Sequence, residues 1–138
     1  MMEFDIMNIS ASGMTANRLR IDVIADNIAN AETTRAPEGG PYKRKRVIFA
    51  EYLRRAQRAY KPAGVRVVKI DEDPSYKLVY DPTHPDADEN GYVKMPNVNV
   101  LREMVDLINA QRAYEANVTA FNTVKTMVNS ALNIGRGA

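Results

Sequence analysis

Apolar residues return every seven positions at both ends of this chain. Met7, Met14, Ile21 and Ile28 form one row, and Val100, Leu107, Tyr114, Phe121 and Val128 form another. A seven-residue return keeps a row on one side of an α-helix and predicts lengthwise packing on a second helix. The first helix is expected over about residues 4–30, with Ile9, Ala16 and Val23 on another of its sides. Asn27, Asn30 and Thr33, then Pro37 and Gly39-Gly40-Pro41, end it. The second is launched by Pro96-Asn97-Val98-Asn99, where Asn97 or Asn99 can cap it, and Gly135 and Gly137 close it.

Between the helices the pattern changes. Residues 43–49, 65–70, 76–80 and 92–95 read as short strands, rich in Val, Ile and Tyr. Residues 51–60 are ambiguous, either a short basic helix or a loop. The sequence therefore predicts an α+β chain: long N- and C-terminal helices packed as an antiparallel, coiled-coil-like pair, with a small β-containing middle. Its parts are residues 1–34, 35–96 and 97–138.

Both helices carry apolar residues off their main rows, among them Leu101, Val105, Ile108, Met127 and Ile134. An antiparallel hairpin covers one side of each helix only, so the remainder is expected to face partners. The terminal helices are further expected to be mobile in the monomer and to order on assembly. The helices are rich in Asn (Asn17, Asn27, Asn30, Asn109, Asn117, Asn122 and Asn129); each either faces water or, if buried, fixes register between packed helices.

Charge narrows the function classes. The net charge is +2, too small to argue for nucleic acid or an acidic membrane. Lys43-Arg44-Lys45-Arg46 with Arg54, Arg55 and Arg58 reads as a solvated face or a patch for an acidic neighbouring subunit. There is no cysteine, so disulfides, thiolate metal sites and cysteine nucleophiles are excluded together. No run approaches the ~20 apolar residues of a membrane span, and no membrane insertion is expected. The acidic opening Met1-Met2-Glu3-Phe4-Asp5 does not look like a cleaved leader, so any exit from the cytoplasm is expected to need none.

No catalytic set, cofactor motif or metal site is expected. Asp86-Ala87-Asp88-Glu89-Asn90-Gly91 matches half of a calcium loop, but Asn97 stands where the bidentate Glu belongs, so an acidic turn is the reading. His84 is alone between prolines. Ser10-Ala11-Ser12-Gly13 lies within a helical pattern, not at a nucleophile elbow.

Two segments carry a resemblance. Ser12-Gly13-Met14-Thr15-Ala16-Asn17-Arg18, followed by residues 23–33 (Val23 to Thr33), resembles the N-terminal motif of bacterial flagellar axial proteins, the rod and hook subunits. The C-terminal helix, with its Arg112–Asn117 segment, resembles the partner motif. With residues 40–44, 77–85 and 91–98 the resemblance covers essentially the whole chain and is strongest to proximal rod subunits. It implies a structural, non-enzymatic subunit, exported by the flagellar type III apparatus and polymerised through its terminal helices into the rod across the periplasm. It also implies partners: the rod subunits FlgB, FlgF and FlgG, the basal-body component FliE, and the export apparatus. A cytoplasmic coiled-coil adaptor is the alternative, and a small nucleic-acid-binding module a third.

Overall fold

The computed structural model describes residues 2–56 and 59–137. Helix α1 spans Met2–Ala29, and helix α2 spans Val100–Arg136. Between them run β1 (Arg44–Ala56), β2 (Ala59–Asp73), β3 (Tyr76–Tyr80) and β4 (Tyr92–Pro96). The strands make two antiparallel two-stranded sheets, β1–β2 and β3–β4. The α+β class and the packing of the two long helices on each other agree with the sequence pattern.

Helix α1 ends in a tighter turn: the Ala31 N–H donates to the Ile28 carbonyl at 3.3 Å and the Thr33 N–H to the Asn30 carbonyl at 3.1 Å. Asn30 Nδ2 donates to the Asp26 carbonyl at 2.9 Å, and Thr33 Oγ1 donates to Asn30 Oδ1 at 3.1 Å. Helix α2 starts at Asn99, whose Oδ1 accepts from the Arg102 N–H at 3.1 Å. Asn97 donates to Ser75 Oγ at 2.8 Å instead. The far end runs through Gly135 and is capped at Gly137, which donates to the carbonyls of Asn133 and Ile134.

The main departure lies between residues 50 and 62. In place of a basic helix or loop, β1 continues to Ala56 and β2 begins at Ala59, giving strands of 13 and 15 residues. Gln57 and Arg58 lie outside the described residues. Such a ribbon is marginal alone. It is held because it lies along α1: the Val65 N–H donates to Ser12 Oγ at 3.1 Å, and Gly64 passes so close that a Cβ there would meet the Ser12 hydroxyl. Gly64 also has φ +120, a conformation that strongly favours glycine. Register shifts between Ile48 and Phe49 and between Glu51 and Leu53 bend the ribbon.

The helix pair has a readable register. Asn27 bonds Glu103, and Gly13 faces Asn117, two contacts that lie two heptads apart on both helices. In that register Met2 is level with Val128, and α2 residues 129–136 extend beyond α1. Gly13 allows the close approach: a Cβ there would lie 2.7 Å from Asn117 Oδ1, while Asn117 Nδ2 donates to the Ala113 carbonyl at 2.8 Å.

Gly13→Ala gains about 1 kcal/mol of helix propensity but forces Asn117 off its carbonyl, a clash worth ~1–3 kcal/mol. We expect it to lower the thermal midpoint in the native chain and to raise it in the Asn117→Ala background. A double-mutant cycle by circular dichroism checks the sign change.

Candidate functional site: a helix pair locked by a buried polar hub

The residues predicted to pack lie along the pair. Met7, Met14, Ile21 and Ile28 on α1 are half-buried, as are Leu107, Tyr114, Phe121 and Val128 on α2; Val100 is exposed at the first turn. The fully buried positions sit beside these rows. On α1 they include Ser10, Gly13, Ala16, Val23, Ile24 and Asn27; on α2 they are Glu103 and Ala110. Small residues therefore occupy much of the seam and bring the backbones together. Ser12 is half-buried and binds the ribbon, and Asn30 caps α1.

Asn27 is the centre of the seam. It is 1% exposed, and its amide makes four hydrogen bonds, the full capacity of the group. Its Nδ2 donates to the Lys45 carbonyl at 2.7 Å and to Glu103 Oε2 at 3.1 Å. Its Oδ1 accepts from the Lys45 N–H at 2.9 Å and from the Tyr42 hydroxyl at 3.0 Å. The amide thus pairs with Lys45 as a neighbouring strand would, seating the start of β1 on the end of α1. Glu103, also 1% exposed, accepts from Arg44 Nε at 2.6 Å. One amide and one carboxylate join α1, α2 and β1, and no buried side-chain polar atom among the described residues lacks a partner. The Asn27 motif residue stands out in the sequence; Glu103 does not. Its clue was its place in the row Glu103, Ala110, Asn117, Val124, interleaved with the apolar one.

A second knot fixes the loop after β3. Asp86 accepts from Thr34 Oγ1 at 2.7 Å and pairs with Arg35, tying residues 81–91 to the turn after α1. Arg35 and then Thr34 hold the Asp86 carboxyl below the usual carboxylate range. Asp88 Oδ1 accepts from the N–H groups of Asn90 and Tyr92, both at 2.9 Å, so this segment is a carboxylate-capped turn. Among the described residues no group of three candidate ligands could hold a metal ion.

The outer faces are apolar. Leu101, Met104, Val105 and Ile108 are exposed along the first turns of α2, and Phe4, Met127, Leu132 and Ile134 at the other end of the pair. Among the described residues no helix is long and apolar enough to cross a membrane.

Glu103→Ala strands Arg44 and one Asn27 proton. With Arg44 a quarter exposed, we expect a loss of about 3 kcal/mol, at the low end for a broken buried pair, and a smaller loss for Glu103→Gln; urea unfolding measures both. Burial first, then the charges of Asp26 and Glu103, pushes the Tyr42 phenol up to about 12. The fold favours the neutral phenol. This contribution is complete below the ordinary tyrosine value of ~10 and is lost as pH rises through about 12. Ultraviolet titration should show one late tyrosine ionisation that disappears in Tyr42→Phe.

Comparison with known proteins meets this geometry at both helices. Residues 7–36 match the family described as flagella basal body rod protein, and residues 89–134 match the flagellar basal body rod FlgEFG protein C-terminal family. Whole-chain relatives agree. The chain is 49% identical to the flagellar basal-body rod protein FlgC of Borreliella burgdorferi, covering 97% of this chain and 98% of that one. It is 48% identical to FlgC of Bacillus subtilis, covering 99% and 100%. It is 42% identical to FlgC of Salmonella typhimurium, covering 96% and 97%. With both terminal helices and the segment between them aligned end to end, the chain belongs to the FlgC family of flagellar basal-body rod proteins.

Proposed function

We propose that this chain is a structural subunit of the proximal rod in the bacterial flagellar basal body, and that it polymerises through its terminal helices. The carrying observation is the outward apolar face of a helix pair whose inward face is already filled. Leu101 is 73% exposed and Ile108 52%, although both sit on a long helix. Repeated heterologous contacts, each related by a rotation and a rise, generate a tube from such faces. The work is mechanical: the hub holds the two helices in one register, and their free faces bind neighbours.

The partners we propose are the rod subunits FlgB, FlgF and FlgG and the component FliE, in a helical hetero-assembly within the periplasm. Passage through the flagellar export apparatus fits a chain without cysteine and with much of its apolar surface left for assembly. A cytoplasmic coiled-coil adaptor is less favoured, because the whole-chain relatives are rod proteins.

Ile108→Asp places a charge on the free face and leaves the seam intact. We expect unchanged helix content and thermal midpoint, normal export, and loss of incorporation into basal bodies with loss of motility. Motile cells with the variant in their rods would overturn the assignment of this face.

A further inference from the structure

The helices do not account for two other exposed surfaces, and these two complement each other. The first is the end of the β1–β2 ribbon. Tyr52, Leu53 and Tyr60 are exposed there, and Tyr60 is 68% exposed. Arg54, Arg55 and Lys61 stand among them, against the single acid Glu51. This end lies beside the start of α1, since Arg54 pairs with Asp5 at 3.1 Å.

The second is one face of the β3–β4 sheet. Alternation puts Tyr76, Leu78 and Tyr80 on that face, and the register sets Lys94 opposite Leu78 and Tyr92 opposite Tyr80. All five are exposed. The Tyr80 and Tyr92 rings meet edge to face at 5.3 Å, and Lys94 lies 5.0 Å over the Tyr76 ring. The opposite face holds buried Val93 beside exposed Lys77 and Val79, and Pro96, opposite Tyr76 at the edge of the tyrosine face, is buried. The loop beside this sheet, residues 81–91, contains Asp81, Asp86, Asp88 and Glu89 and no lysine or arginine.

We propose that the basic, aromatic end of the ribbon seats on the tyrosine face of the β3–β4 sheet in a second copy of this chain. Arginine over a tyrosine ring is favourable, as Lys94 over Tyr76 already illustrates within one molecule. Of the loop's acids Asp86 is engaged by Arg35, and Asp81, Asp88 and Glu89 supply the opposite charge at the rim. The contact is between molecules for a geometric reason. The ribbon end sits at the start of α1 and the loop is tied to Thr34 and Arg35 past its end. A helix of 28 residues separates them by about 40 Å. A patch at one end that fits a face at the other is heterologous and adds copies in one direction. This goes beyond the helical contacts while resting on the rod reading for its setting.

The absence of cysteine makes the test direct. Differently tagged Leu53→Cys and Leu78→Cys copies are co-expressed, and isolated basal bodies are treated with a short bifunctional thiol cross-linker. The expected product is a dimer holding one of each. Tyr60→Cys with Tyr80→Cys is a second pair, in case either first variant folds poorly. A Leu53→Cys copy joined to a different basal-body protein, or to another Leu53→Cys copy, overturns the contact and leaves the rod reading standing. So does the absence of any mixed dimer, for both pairs, in basal bodies that contain both variants. Absence of the unaltered chain from basal bodies overturns the rod reading and this contact with it.

Discussion

The buried bond between Asn27 and Glu103 is the constraint on which the rest of this structure depends. It fixes which turn of α1 faces which turn of α2. A seam lined by Ser10, Gly13, Ala16 and Ala110 has little side-chain bulk to define register. Small residues allow several sliding positions, whereas a buried amide and carboxylate allow one, because any other leaves polar groups without partners. Arg44 then neutralises Glu103, and the Lys45 backbone completes the Asn27 amide. The start of β1 is therefore placed by the same bonds that set the helix register.

From that placement the outer surfaces follow. Because β1 leaves from the end of α1, the ribbon runs back along the helix toward its start and carries its basic end to the opposite extremity. Because Thr34 and Arg35 are held just past α1, the Asp86 loop and the β3–β4 sheet gather at the near extremity. The seam takes the small residues, and larger ones such as Leu101, Met104 and Ile108 remain outside. In a self-sufficient helical hairpin the larger side chains would be inside. Here the arrangement suits a subunit of an assembly, in keeping with the flagellar basal-body rod family to which the chain belongs.

Much of the fold was legible. Both helices, the turn after residue 30, the cap at Asn99 within a stated pair, and the strands at 76–80 and 92–95 follow from periodicity and turn chemistry. Residues 51–56 and 59–60 were not legible as strand. Their composition, rich in Arg and Ala, favours helix, and the ribbon forms because α1 supplies a surface for it; propensity yields to that tertiary contact. Gly13 and Asn117 were each marked by the motif, but nothing along the chain says that they meet.

The sequence by itself determined the two amphipathic ends, the β-containing middle, the lack of thiol chemistry and, through its motifs, the family. Those are consequences of local spacing and residue type, which a linear reading contains. The tertiary structure alone decided which side of each helix is the seam, that Glu103 is buried, and which apolar faces stay open. Each is set by pairs of residues far apart in the chain, and the free energy of a buried polar group depends on whether its distant partner arrives.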